Sequence, residues 1–286
     1  MDKTLALENS DLVLTSAPLS HVSVAKWQGN KLSQVDDCLA EEVPIALIYN
    51  GISHAVMLAT PQDLEDFALG FSLSEGILHN CHELYDVEIK PQINGIELHC
   101  EIATERFNSL KERRRSMVGR TGCGLCGAES LEKALRLPDM PVLKQESINI
   151  INSSSIYAAY YAIAEQQTLQ IATGATHASA FISSTGEVKL VREDVGRHNA
   201  LDKLVGAMNK MQLEDQGFVL TTSRASYEMV QKIASAGVPM LVAISAPTGL
   251  AVRMAQQYGV TLVGFLRKNQ YVVYTHPERI LHNTAE

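Results

Sequence analysis

A chain of 286 residues with 46% hydrophobic and 20% charged residues has the make-up of an ordinary globular protein, large enough for one big domain plus a smaller one. Its formal net charge of -8 argues against a protein that coats nucleic acid or an anionic membrane, so any anion site must be local. No apolar run approaches the roughly 20 residues of a spanning helix, the polar start MDKTLALENSD lacks the order of a secretory signal, and five thinly spread cysteines are unlike a disulfide framework, so a cytoplasmic protein with reduced thiols is expected.

Residues 1 to 41 show no sustained period and read as an N-terminal arm with one strand. From Val43, IALIYNGISHAVMLAT forms two β-rich runs around Asn50-Gly51, the strongest short hairpin signal. Thr60 can cap the helix that follows, Pro61 suits its first position, acidic residues crowd its first turn and Gly76 ends it. A second hairpin is predicted around Asn94-Gly95, and a charged helix from Thr104 to about Arg115. The glycine-rich, aperiodic SMVGRTGCGLCG is then a loop, whose glycines leave its sulfurs uncovered.

Two prolines in LEKALRLPDMPVLKQES predict a boundary near residue 145. The smaller N-terminal α+β domain, 1–145, is thus one of hairpins and a helix, carrying the cysteine loop at about 119–127. Residues 146–286 have another rhythm: helix SIYAAYYAIAEQQ, hairpin HASAFISSTGEVKLVRE, then helices alternating with the apolar strands FVLTT, MLVAIS and TLVGFL. That alternation predicts an α/β domain with a partly parallel, mixed sheet covered on both faces. Its ligands should gather at the carboxyl ends of the strands, where helix N-termini present free N–H groups.

Cys123 and Cys126 in RTGCGLCG are spaced so that two sulfurs can meet one metal, form a disulfide or share a transferred sulfur. Lys111, Arg113, Arg114, Arg115 and Arg120 just upstream favour the nucleophilic thiolate. A structural zinc site would need two more ligands from His79, Cys81, His82, His99 or Cys100, none at a finger-like spacing. A thioredoxin-type role would want a βαβ setting that this loop lacks. His99-Cys100-Glu101 ahead of the cysteines half-matches the zinc deaminase signature, but Gly122 replaces its proline and His99 falls in a strand pattern. No bound metal is therefore expected.

The second half offers several anion-binding junctions. Gly196, Arg197 and His198 precede a helix, with Asp194 and Asn199 as candidate caps; Ser223, Arg224 and Ser226 stand at one strand-to-helix junction, and Ser245, Pro247 and Thr248 at the next. Arg267 and Lys268 follow the last core strand, and His177 could line the same pocket or be a satisfied core histidine. Together these suit a phosphorylated or nucleotide-like ligand, while no Walker A or GxGxxG motif supports ATP hydrolysis or dinucleotide redox chemistry.

RTGCGLCG, HASAF, REDVGRHNALDKLVG, SRASYEMVQK, SAPTGLAV and LVGF with VVYTHPERI resemble the FdhD family in order and spacing, from about residue 43 to 281. Ala175 and Ser223 stand where that pattern has glycine. The resemblance implies a C-terminal three-layer domain similar to the cytidine deaminase fold, used without deaminase ligands. It implies a sulfurtransferase that accepts persulfide sulfur from a cysteine desulfurase and passes it to the bis-molybdopterin guanine dinucleotide cofactor for formate dehydrogenase. On that likeness Cys123 carries the persulfide, Cys126 is its partner, and Phe265, Leu266, Arg267, Lys268, Asn269 and Gln270 contact the cofactor, with Arg197, His198, Arg224, His177, Ser245 and Thr248 completing the pocket. A guanine nucleotide such as GDP should mimic the cofactor, and a homodimer is expected. The alternatives are a cofactor-binding chaperone with structural cysteines and a zinc-dependent deaminase.

Overall fold

The computed structural model describes residues 17–117, 150–213 and 217–282, with no side chains described at 113–117. Cys123, Cys126, the loop at 119–127 and the expected boundary near 145 therefore lie outside the described residues.

The chain opens with a hairpin, β1 (Leu19–Gln28) and β2 (Lys31–Ala40), turned at Gly29 with φ 61°. The expected single strand is thus two. Neither strand buries a full apolar face, so neither carries the clean alternation by which a strand is read from sequence.

A four-stranded sheet follows in the order β4-β3-β6-β5, from β3 (Val43–Tyr49), β4 (Ile52–Ala59), β5 (Leu84–Gln92) and β6 (Gly95–Ile102). Asn50 and Gly51, at φ 44° and 81°, make the two-residue turn that the right-handed twist of β3 and β4 demands. β3 alternates buried and half-buried residues, placing Val43, Ile45, Leu47 and Tyr49 in a core with Ile96, Leu98, Cys100 and Ile102 of β6 and with Phe67 and Phe71 of helix α1 (Leu64–Ser74). Helix α2 (Thr104–Met117) follows β6.

Thr60 does not cap α1. Asp63 holds the cap position at φ 53°, and Thr60 is drawn instead into contacts with the second half of the chain, described below. Gly76, at φ 64°, does end the helix region, its N–H reaching Leu73 O at 3.0 Å.

The second half is built on a six-stranded sheet ordered β13-β12-β11-β10-β8-β9. Its strands are β8 (His177–Ser183), β9 (Val188–Asp194), β10 (Gly217–Thr221), β11 (Met240–Ala243), β12 (Thr261–Arg267) and β13 (Gln270–Val273). β10, β11 and β12 run parallel and the outer pairs antiparallel, so the sheet is mixed. Helices α5 (Arg197–Lys210), α6 (Tyr227–Ser235) and α7 (Gly249–Tyr258) bury Leu201, Leu204, Met229, Ile233 and Met254 against one face. Helix α3 (Ser153–Gln166) buries Ile156, Ala159 and Ile163 on the other, beside the short pair β7 (Ile151–Asn152) and β14 (Ile280–Leu281). A short helix α4 (Thr168–Thr173), which sequence periodicity could not separate from α3, is capped by Glu193: its carboxylate accepts from Leu169 N at 2.9 Å and Gln170 N at 2.8 Å.

The two halves meet along α1 and α5. A Cβ at Gly70 would overlap the Asp202 carbonyl, and one at Gly206 would overlap that of Asp66, so the backbones approach as closely as glycine permits. Around this crossing run polar ties. Asp194 and Lys203, both fully buried, pair at 2.7 Å; Asp194 accepts from Thr60 N at 3.0 Å, and Lys203 donates to Thr60 O at 2.9 Å. Asp202 pairs with Lys232 of α6 at 2.9 Å and accepts from Ser74 Oγ at 2.6 Å.

Candidate functional site

The parallel strands β10, β11 and β12 end at one rim of the sheet, and the chain turns there into the N-termini of α6 and α7. Three loops are laced along this rim. Ile244 N donates to Thr221 O at 2.9 Å, Ala225 N to Ala246 O at 3.3 Å, Thr248 N to Ala225 O at 3.0 Å, and Phe265 N to Ser245 O at 3.2 Å. A Cβ at Gly264 would sit 2.7 Å from Pro247 Cδ, so this glycine is what allows β12 to pass beneath the 244–248 loop. The pairing of β8 with β10 and β9 brings His177 and the start of α5 to the same rim.

Most of the sequence-predicted residues therefore share one edge. Arg197 opens α5, Ser226 holds the N-cap position of α6 without a side-chain capping bond, and Thr248 caps α7, its Oγ1 accepting from Ala251 N at 3.2 Å. Arg224 is exposed and Ser245 half-buried beside them. Buried Nε of Arg197 and buried Oγ of Ser226 have no hydrogen-bond partner among the described residues. Donors left unmatched in that way at two helix N-termini, where the macrodipoles favour negative charge, suit an anion. His177 is held below the ordinary histidine range by burial and by Arg197, with Asp194 opposing, and so favours the neutral imidazole.

Beside this edge, Phe265, Arg267, Gln270, Tyr271 and Val272 line a cavity of about 330 Å³. Phe265 adopts φ 54°, unusual for a residue with a side chain, and leaves its ring 42% exposed. Tyr271 is braced by Tyr157 at 5.3 Å and stacks on His282 at 5.9 Å. Two rings and a guanidinium around one cavity can hold a flat, aromatic, anionic molecule. Tyr271 and Val272 escaped the sequence reading; the alternation of β13 beyond Gln270 was the available signal.

Not every expected residue joins the site. Leu266 is fully buried in the core beneath the sheet, so its side chain offers nothing to a ligand. Arg267 Nη1 donates to the carbonyls of Ile244 and Leu266, which makes it a brace between two rim loops as well as a charge. Lys268 and Asn269 form the exposed turn between β12 and β13.

His198 turns toward α6. Its Nδ1 lies 3.0 Å from Glu228 Oε2 without the alignment of a hydrogen bond, and burial, Arg197 and Lys232 push its pKa down to about 4. Asp194 accepts from Gly196 N at 2.7 Å, ordering the start of α5, but its other oxygen belongs to the clamp with Lys203 and Thr60. Asn199 does not cap α5; it donates to Leu58 O at 2.8 Å.

Of the described cysteines, Cys100 offers little chemistry. Cys100 is buried in β6, and burial pushes its thiol up to about 12, away from the reactive thiolate. His99 of the half-matched deaminase signature pairs with Glu97 at 2.9 Å on the outer side of the same sheet. No group of three or more His, Cys, Asp or Glu side chains suited to a metal occurs among the described residues.

The FdhD/NarQ family model matches residues 40–281 of the chain that folds in this way. The chain is 55% identical over 267 residues to the "Sulfur carrier protein FdhD" of Cupriavidus necator, covering 93% of this chain and 91% of that one. It is 48% identical over 274 residues to the protein of that name in Bordetella bronchiseptica, covering 91% and 98%. Among solved structures it is similar to a candidate formate dehydrogenase accessory protein from Desulfotalea psychrophila, with a TM-score of 0.71 over 92% of this chain and 99% of the other; at 22% identity that likeness shows the fold.

Proposed function

The chain belongs to the FdhD/NarQ family, and from that premise we propose that it carries sulfur for formate dehydrogenase, as a sulfurtransferase acting in the cytoplasm, where thiols stay reduced. Cys123 takes sulfur from the persulfide of a cysteine desulfurase. Its thiolate attacks the outer sulfur, a new S–S bond forms on Cys123, and the desulfurase leaves as a thiolate. Attack by Cys126 on Cys123 Sγ then expels the outer sulfur as hydrosulfide and leaves a Cys123–Cys126 disulfide. The two thiols supply the two electrons the sulfur gains, and an external thiol resets the pair.

The acceptor in this reading is a bis-molybdopterin guanine dinucleotide cofactor held as substrate along the rim. Its phosphates would face the N-termini of α5 and α6, near Arg197 and Arg224, and its guanine the cavity of Phe265 and Tyr271. The observation that carries the proposal is the presence of the Cys123 and Cys126 pair in a chain whose relatives are named sulfur carriers.

The deciding experiment is intact mass spectrometry after incubation with a cysteine desulfurase and cysteine. The wild type should gain about 32 Da per bound sulfur, removable by a reducing thiol. Cys123→Ala should gain nothing. A wild type that never gains sulfur, or a Cys123→Ala variant that gains it normally, overturns the assignment.

A further inference from the structure

The starts of α5 and α6 frame one end of the rim, and the contact that bridges them is incomplete. His198 of α5 puts its Nδ1 3.0 Å from Oε2 of Glu228 of α6, yet no hydrogen bond forms between them. That Nδ1 is buried, as are the unmatched Nε of Arg197 and Oγ of Ser226 on the same two helix starts. Three buried polar atoms left without partners among the described residues, all at one place, mark a site that a further component completes.

The charges around the imidazole say what that component is. Burial works first against a proton on His198; Arg197 on its own helix and Lys232 of α6 add to that, while Glu75, the residue after α1, opposes them. Glu228 faces the ring from α6. Tyr227, at the start of α6, is held above the ordinary tyrosine range by burial, Glu228 and Glu75, and so carries no charge.

The two cations differ. Lys232 is matched already, at 2.9 Å from Asp202 and 3.1 Å from Glu75. Arg197 pairs with no carboxylate among the described residues. Arg197 is therefore the cation whose charge an incoming anion would cancel. An anion seated there also adds its own negative charge near the ring, and both changes favour the imidazolium. An imidazolium has an N–H to give from each nitrogen, so Nδ1 can then donate to Glu228 in a charge-assisted bond. His177 also feels Arg197, after burial, but forms no ion pair with a described carboxylate and so has no such bond to gain.

We propose that His198 is a positioning residue of the anion site: an anion bound between Arg197 and Ser226 draws one proton from solvent onto His198, which closes the His198–Glu228 bridge and holds the starts of α5 and α6 together around the ligand. This inference rests on the reading of the rim as an anion site given above.

The test is calorimetry of sulfate binding to the full chain at about pH 5 and about pH 8, with nitrogen NMR of the histidine rings. Sulfate stays a dianion throughout that range, so every proton taken up belongs to the protein. On going to the lower pH, the wild type should gain about tenfold more in sulfate affinity than His198→Gln does, with proton uptake read from the dependence of the heat on the buffer. The ring signal that vanishes in His198→Gln should move toward the imidazolium form when sulfate is added at about pH 5. Glu228→Gln should lose most of the gain as well, although removing a negative charge from the rim would by simple electrostatics only help an anion. Equal pH dependence in the wild type and His198→Gln, a His198 signal that sulfate leaves in place, or a Glu228→Gln variant that keeps the full gain would each overturn the proposal while the rim stands. Absence of sulfate binding at either pH would remove the anion site and the proposal together.

Discussion

Lys203 Nζ lies 2.7 Å from Asp194 Oδ2 with both side chains wholly removed from solvent, and the same two groups take Thr60 O and Thr60 N from the other half of the chain. Burial pulls Lys203 below the ordinary lysine range and Asp194 opposes it, so the charge on Lys203 depends on its partner. Lys203→Met alone should cost about 3 to 5 kcal/mol, because it strands a buried carboxylate. The pair Lys203→Met/Asp194→Leu should cost clearly less than Lys203→Met alone. Urea unfolding measures both; a double variant no more stable than the single would show that the pair is not the clamp described.

The crossing of α1 and α5 gives a second expectation. Gly206→Ala places a methyl group against the Asp66 carbonyl and should destabilise by about 1 to 3 kcal/mol, despite the better helix propensity of alanine. Gly76→Ala meets nothing within 4 Å and suffers only its left-handed φ of 64°, a smaller cost of about 1 kcal/mol. Thermal denaturation should rank them in that order; the reverse order would contradict the close approach.

His198 makes stability depend on pH. Its pKa falls from 6.5 to about 4 in the folded protein, so between those values the unfolded chain binds the extra proton. Stability is therefore fully present above pH 6.5 and is lost as pH falls toward 4. The contribution is at most about 3 kcal/mol, less whatever solvent screens. His198→Gln should flatten the stability profile across that window and leave it unchanged near pH 8. An identical slope in both proteins would mean that His198 titrates normally.

At the rim, GDP should bind, and Arg267→Ala should weaken it by roughly tenfold or more. The substitution removes both a charge and the brace that ties Ile244 and Leu266 together, and 1.4 kcal/mol already corresponds to a factor of ten. Calorimetry should show Cys123→Ala binding GDP as the wild type does. Equal affinity for guanine and adenine nucleotides, or none at millimolar ligand, would remove the guanine half of the cofactor reading without touching the sulfur chemistry.

The cysteines should divide their labour. Cys123→Ala should lose sulfur loading and formate dehydrogenase maturation together, while Cys126→Ala should load sulfur yet deliver it poorly, since it lacks the thiol that expels it. Loading measured by mass and delivery by formate dehydrogenase activity separate the two; equal loss of loading in both variants would merge their roles.

What the sequence determined by itself is local. Asn50-Gly51 demanded a tight hairpin because both residues must adopt positive φ, and the short apolar strands between amphipathic helices demanded a covered, partly parallel sheet. The same alternation placed Arg197, Ser226 and Thr248 at strand-to-helix junctions, and strand direction alone then put those junctions at one rim. The second hairpin turns one residue early, at Ile93 and Asn94, with Gly95 already in β6, where a Cβ would collide with the Pro44 carbonyl.

Tertiary structure decided the partners that lie far apart in the chain. Thr60 looks like a helix cap, and Asp194 and Asn199 like caps of α5, because capping chemistry is read from neighbours a few residues away. Burial gives them different partners: Thr60 is 134 residues from Asp194, and their amide-to-carboxylate bond exists only once α1 and α5 have crossed at Gly70 and Gly206. A buried polar group must find a partner wherever the fold supplies one, and no local pattern records which donor that will be.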